Sequence, residues 1–126
     1  MVTAERIERT TLKNLLHNED YTRKVLPFLK AEYFDDRKER IVFDEIRKFI
    51  DQYNKRPTKE TLQIDIGKRK DLNEDEYKQI VDLISTLNKE EIDLDWLVNT
   101  TEKFCKDRAV HNAVMDGIHT VSYTHL

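Results

Sequence analysis

A chain of 126 residues with only two glycines and two prolines has few tight-turn residues, which argues against an all-β fold and for a single helical domain. Charged residues make up 37% and the formal net charge is −3, so the bulk basic excess typical of nucleic-acid binding is missing. One cysteine excludes an internal disulfide. Neither a signal peptide nor an apolar run of membrane-spanning length is found, so we expect a cytoplasmic protein without a membrane partner.

Apolar residues at steps of three and four predict a first helix over residues 3–17 and a short second helix capped by Asn18. Pro27 ends or kinks the second helix, because proline cannot donate its backbone hydrogen bond. The first helix has a narrow apolar edge, and its charged residues are assigned to the solvent side: Glu5, Arg6, Glu8, Arg9 and Lys13. The connector that follows is dense in apolar residues and should be buried: Phe28, Leu29, Tyr33 and Phe34.

The central helix is predicted to begin after Asp35 or Asp36, either of which can cap it, and to end near Tyr53. Its apolar stripe is wide enough to require other helices around it, which indicates a bundle. The stripe consists of Ile41, Val42, Phe43, Ile46, Phe49, Ile50 and Tyr53. Charged side chains, Glu39 and Glu45 among them, are assigned to the opposite face.

Two shorter helices are predicted next. Thr58 caps the first, and Gly67 with the basic residues 68–70 closes it. Asn73 and Glu76 have the spacing of a capping box and open the second. These residues therefore mark helix boundaries.

The last helix follows Asp93 or Asp95 and is the longest periodic stretch of the chain. The helical pattern breaks after Thr120. Residues 121–126 resemble translated adapter sequence, so we interpret them as a non-native tail and the chain as the front of a longer protein. The prediction is an all-α fold, a compact bundle of about six helices.

No catalytic or metal-binding pattern emerges. Asp71, Asn73 and Asp75 resemble the start of a calcium loop, but the required glycine and final glutamate are absent, which favours a helix cap. The histidines lack metal-ligand spacing: His17, His111, His119 and His125. Cys105 is interpreted as a small buried hydrophobic residue, with a Cys–His nucleophile pair as the alternative. No glycine-rich phosphate loop occurs, so nucleotide hydrolysis by this stretch is excluded.

Two clusters are candidates for binding. The basic residues Lys68, Arg69 and Lys70 are a candidate nucleic-acid contact, or else a solvated helix end neutralised by nearby acids. The second cluster lies on the last helix and is either a subunit interface or part of the core. It comprises Trp96, Leu97, Phe104 and Arg108, and the resemblance described below adds Val98, Cys105 and Ala109.

Three blocks resemble the amino-terminal domain of DnaB-like replicative DNA helicases, and in particular the T-even-type phage branch. The first block, residues 21–62, has the family order of features in Leu26-Pro27, Glu32-Tyr33-Phe34, Val42-Phe43 and Pro57-Thr58. The other two blocks are Trp96-Leu97-Val98 with Thr101-Glu102-Lys103, and Arg108-Ala109 with Asn112-Ala113. Between residues 63 and 91 only the periodicity supports the resemblance.

The resemblance implies a helical collar, residues 1–92, on a hexameric ring, followed over residues 93–120 by the start of a helical hairpin that pairs between subunits. It implies an ATP-dependent DNA helicase that unwinds duplex DNA at the phage replication fork, with ATP, magnesium and single-stranded DNA bound by a motor domain beyond this stretch. Primase and a helicase loader are the implied partners, in the host cytoplasm. No catalytic residue can be carried over. The alternatives are a small all-helical nucleic-acid-binding regulator and a helical antitoxin-like partner protein.

Overall fold

The computed structural model describes the backbone of residues 4–124 and the side chains of residues 7–116. Within those residues every regular element is helical, which confirms the all-α prediction. The six helices are α1 (Ala4–His17), α2 (Glu19–Val25), α3 (Arg37–Tyr53), α4 (Lys59–Gly67), α5 (Glu74–Ser85) and α6 (Leu94–Thr124). Two short 3-10 helices, Leu26–Phe28 and Ala31–Tyr33, form the connector between α2 and α3. No helix of the described chain is long and apolar enough to cross a membrane.

The helix starts confirm the predicted caps. Asn18 accepts a hydrogen bond from the Tyr21 N–H, and Asn73 and Glu76 form the reciprocal capping box of α5. Of the paired alternatives, Asp36 caps α3 and Asp93 accepts from the first turn of α6. Each cap satisfies backbone N–H groups that have no partner within the helix.

Helix α3 lies at the centre of the bundle and packs against α1, α4 and α5. The buried part of its stripe consists of Ile41, Val42, Phe43 and Ile46. Phe43 stacks on Phe34 of the connector, with ring centroids 5.1 Å apart. Leu29, Tyr33 and Phe34 are themselves buried, so the predicted burial of the connector is confirmed for these residues.

Three glutamates that the sequence pattern assigned to the polar faces of α1 and α3 are buried instead: Glu8, Glu39 and Glu45. An arginine approaches each of them. Arg108 lies 3.5 Å from Glu8, and Arg69 lies 2.8 Å from Glu45. Arg9 is 3.6 Å from Glu39. The solvent-side assignment was wrong at these positions because all three arginines come from distant parts of the chain, and paired carboxylates can be buried.

The first turns of α6 pack against α1 and α2 and share their core. Helix α6 runs on to Thr124, so the break in the helix predicted after Thr120 is not found. No proline interrupts this stretch, and the single Gly117 costs a helix only about 1 kcal/mol. The division at residue 92 and the non-native origin of residues 121–126 remain predictions, and residues 125 and 126 lie outside the described chain.

Candidate interaction surface

The amino-terminal half of α6 belongs to the core of the bundle. Leu97, Phe104 and Cys105 are all buried among side chains of this chain. The hydroxyl of Tyr21 shares a buried hydrogen bond of 2.6 Å with Thr101 of α6, and burial raises the pKa of Tyr21 to about 12. Three of the predicted interface residues are therefore already covered, and an interface with another molecule would need different side chains.

Other members of the predicted interface are accessible. The Trp96 side chain is 48% exposed although its backbone N–H is held by Asp93. Val98 is half-buried and Ala109 is exposed. Trp96 stands at the start of α6 and Ala109 lies three and a half turns further on, so these residues do not form one compact patch.

Arg108 ties α6 to the bundle through the connector and α1. Its guanidinium donates to both carboxylate oxygens of Asp35, at 2.8 and 2.5 Å, and lies 3.5 Å from Glu8. It also sits over the Phe104 ring, 5.5 Å from the centroid. Arg108 thus bridges three elements with a geometry that suits the planar guanidinium.

Glu8 is the buried member of this cluster, with 3% of its surface exposed. Burial raises the pKa of its carboxyl group, while the Asp35 N–H at 2.9 Å and the charge of Arg108 act in the opposite direction. Sequence reasoning missed Glu8 because it occupies a polar position of α1. Only the fold brings it to Arg108, one hundred positions away.

Beyond Arg108, most of the described side chains of α6 are exposed. The Asn112 amide reaches the Glu32 carbonyl at 3.5 Å, and the described side chains after it, residues 113–116, are exposed. Val110, Val114 and Met115 are 63%, 53% and 57% exposed. Val110 and Val114 are four positions apart and so lie on one face of the helix. This projecting segment, residues 109–116, carries apolar side chains that its own chain leaves uncovered.

The basic residues after α4 are mostly engaged within the chain. Arg69 pairs with Glu45 at 2.8 Å and with Asp71 at 2.8 Å, and Lys68 lies 3.7 Å from Asp65. The hydrogen bonds from Arg69 lower the pKa of Asp71 to about 2. Lys70 is exposed. Nucleic-acid contact by these three residues remains a prediction. The guanidinium of Arg69, which would have to contact a phosphate, is paired with two carboxylates of this chain.

The candidate metal and nucleophile residues do not converge. Burial raises the pKa of the Cys105 thiol to about 12, which disfavours the reactive thiolate. The His17 ring contacts the Leu87 carbonyl at 2.7 Å, and Asn73 is used as a helix cap. Among the described side chains no three His, Cys, Asp or Glu residues are placed to hold a metal ion. His119 and His125 lie outside the described side chains.

These features define a class of protein: an all-α bundle with a charged surface, whose last helix carries exposed apolar side chains. The comparison with known proteins is more specific. The chain is 31% identical over 102 residues to a DnaB-like replicative helicase of Enterobacteria phage T4. The match confirms the resemblance to the amino-terminal part of a phage DnaB-like helicase. It covers 81% of this chain, which spans about a fifth (21%) of the relative's length. No protein-family model matches the chain.

Proposed function

We propose that this chain is the amino-terminal oligomerisation and partner-docking domain of a phage replicative DNA helicase. The observation that carries the proposal is the 31% identity to the phage T4 helicase over most of the chain. The projecting segment of α6 supports it, because exposed apolar side chains on one helix face favour association with another helix. In this proposal the domain has no catalytic site of its own.

The full-length protein would be a hexameric ring that hydrolyses ATP with magnesium, moves along single-stranded DNA and unwinds duplex DNA at the replication fork. The part of the relative outside the match leaves room for such a motor, since the aligned region is only 21% of it. Primase and a helicase loader are the proposed partners of the collar. The start of a helical hairpin is assigned to α6 from Leu94 onward.

Sedimentation velocity over a range of concentrations tests self-association of this chain. The Val110→Asp/Val114→Asp variant places two carboxylates on the exposed face of the projecting segment. There they should reduce the stability of the free chain little, but they oppose burial in an apolar interface. Ile64→Asp is the control at an exposed apolar position outside α6, since Ile64 on α4 is 56% exposed. We expect the average mass of the wild type and of the control to rise with concentration, and that of the double variant to stay monomeric.

An unchanged association in the double variant would remove the projecting segment from the proposal. ATP hydrolysis by the isolated chain would contradict the non-catalytic role. The alternative function, a small helical nucleic-acid-binding regulator, rests on Lys68, Arg69 and Lys70. Binding of a thymidine oligonucleotide that is lost on charge reversal of these three residues would favour that alternative.

A further inference from the structure

A cleft of about 780 Å³ lies between α2, the turn after it and the carboxyl end of α3, away from the projecting segment. The cationic residues of its lining are Arg23, Arg47, Lys55 and Arg56. The carboxylates of its lining are Glu19 and Asp51. None of the candidate binding residues of the sequence analysis lines this cleft, although Leu26 and Pro27 in its wall belong to the first block of the resemblance. Its volume lies in the range of clefts that hold ligands.

The charge of the cleft is opposite to that of the whole chain. Four cations face two carboxylates, whereas the chain as a whole carries a formal charge of −3. Glu19 and Arg23 pair with each other at 3.1 Å, so three cations, Arg47, Lys55 and Arg56, and one carboxylate, Asp51, are left in the lining. A local excess of positive charge attracts an acidic ligand and speeds its association.

Two of the arginines are held in place by the fold. Arg47 donates from Nη1 to the Leu29 carbonyl at 2.7 Å, and Arg56 donates from Nη1 to the Leu16 carbonyl at 2.9 Å. A guanidinium has five N–H donors, so one such bond fixes its position and leaves other donors for a ligand. Donors that are already ordered lose less entropy on binding.

The same cleft has an apolar wall of Leu26, Pro27 and Ile50, and no aromatic ring is among its lining residues. A single-stranded nucleic acid is usually bound by cations together with aromatic rings on which bases stack. An acidic peptide with apolar side chains matches both the cations and the apolar wall. We propose that the cleft binds an acidic, partly apolar peptide segment of a partner protein, an assignment that specifies the partner docking of the proposed function.

The probe is a fluorescent dodecapeptide of aspartate, leucine and serine, titrated into the whole 126-residue chain and followed by fluorescence anisotropy at low salt. A peptide with asparagine in place of aspartate and a thymidine oligonucleotide of equal charge are compared with it. The cleft variant is Arg23→Glu/Lys55→Glu, because both side chains are exposed and their replacement spares the core. Lys78→Glu/Lys89→Glu has the same charge change at exposed positions outside the cleft.

We expect the cleft variant to raise the Kd of the acidic peptide by about tenfold or more, and the control variant to raise it by less than about twofold. The asparagine peptide should bind the wild-type chain more weakly than the aspartate peptide does. Absence of wild-type peptide binding, or equal losses in both variants, would overturn the proposal. So would tighter binding of the oligonucleotide that is lost in the cleft variant. Sedimentation distinguishes this proposal from the proposed self-association of the domain. A cleft variant that no longer self-associates would identify a second copy of the chain as the occupant of the cleft. Self-association of a wild-type chain that does not bind the peptide would contradict the cleft proposal alone.

Discussion

Arg108 and Asp35 are joined by two hydrogen bonds, of 2.8 and 2.5 Å, across seventy-three positions of sequence. The pair connects α6 to the connector before α3, and the buried Glu8 completes it from α1. Arg108 lies directly before the projecting segment of α6. The cluster therefore anchors α6 to α1 and to the connector directly beside that segment.

Replacing Arg108 by glutamine should lower the free energy of unfolding by about 1–3 kcal/mol, because Glu8 stays buried without its cation. Urea unfolding measures the change. Arg23→Gln removes only the exposed pair with Glu19 and should cost less than about 1 kcal/mol. Equal effects of the two substitutions would show that the Arg108 cluster contributes no more than a surface ion pair.

Glu8 should give the chain a distinct dependence of stability on pH. Its pKa is raised in the folded state, so the folded protein holds the proton more tightly, and the associated stability is present at low pH. The contribution is lost as pH rises through the folded pKa, above the ordinary value of 4.5. The free energy of unfolding of the wild type minus that of Glu8→Gln should therefore fall as pH rises from about 4 to 7. A difference that rises instead would mean that Arg108 and the Asp35 N–H outweigh burial.

Alanine substitutions of Phe104 and Trp96 should distinguish a core position of α6 from a surface position by their effect on stability. Phe104→Ala removes a buried ring and should cost about 3–5 kcal/mol of unfolding free energy. Trp96→Ala truncates a half-exposed side chain and should cost no more than about 1.5 kcal/mol. Thermal unfolding followed by circular dichroism compares them. A larger loss from Trp96→Ala would contradict the packing of α6 on α1 and α2.

The local features of the fold were predictable from sequence, and the long-range ones were not. Asn18 and Asn73 were identified as caps because a cap bonds to backbone only a few residues away. Glu8 and Glu45 were assigned to solvent because periodicity reports the polarity of a position and not its partner. The same limit applies to Phe104, because the sequence pattern places it on an apolar stripe but does not indicate that helices of this chain cover it.

Cysteine cross-linking tests pairing of the projecting segments most directly. Single substitutions Val110→Cys, Val114→Cys and Met115→Cys place a thiol on the exposed stripe, and the buried native Cys105, with its pKa of about 12, should not compete. Ile64→Cys is the control, since its site on α4 is as exposed as Met115. On mild oxidation of the dilute protein, we predict covalent dimers from at least one stripe position and none from Ile64→Cys. Dimers formed equally at all four positions, or at none of them, would contradict self-association through α6.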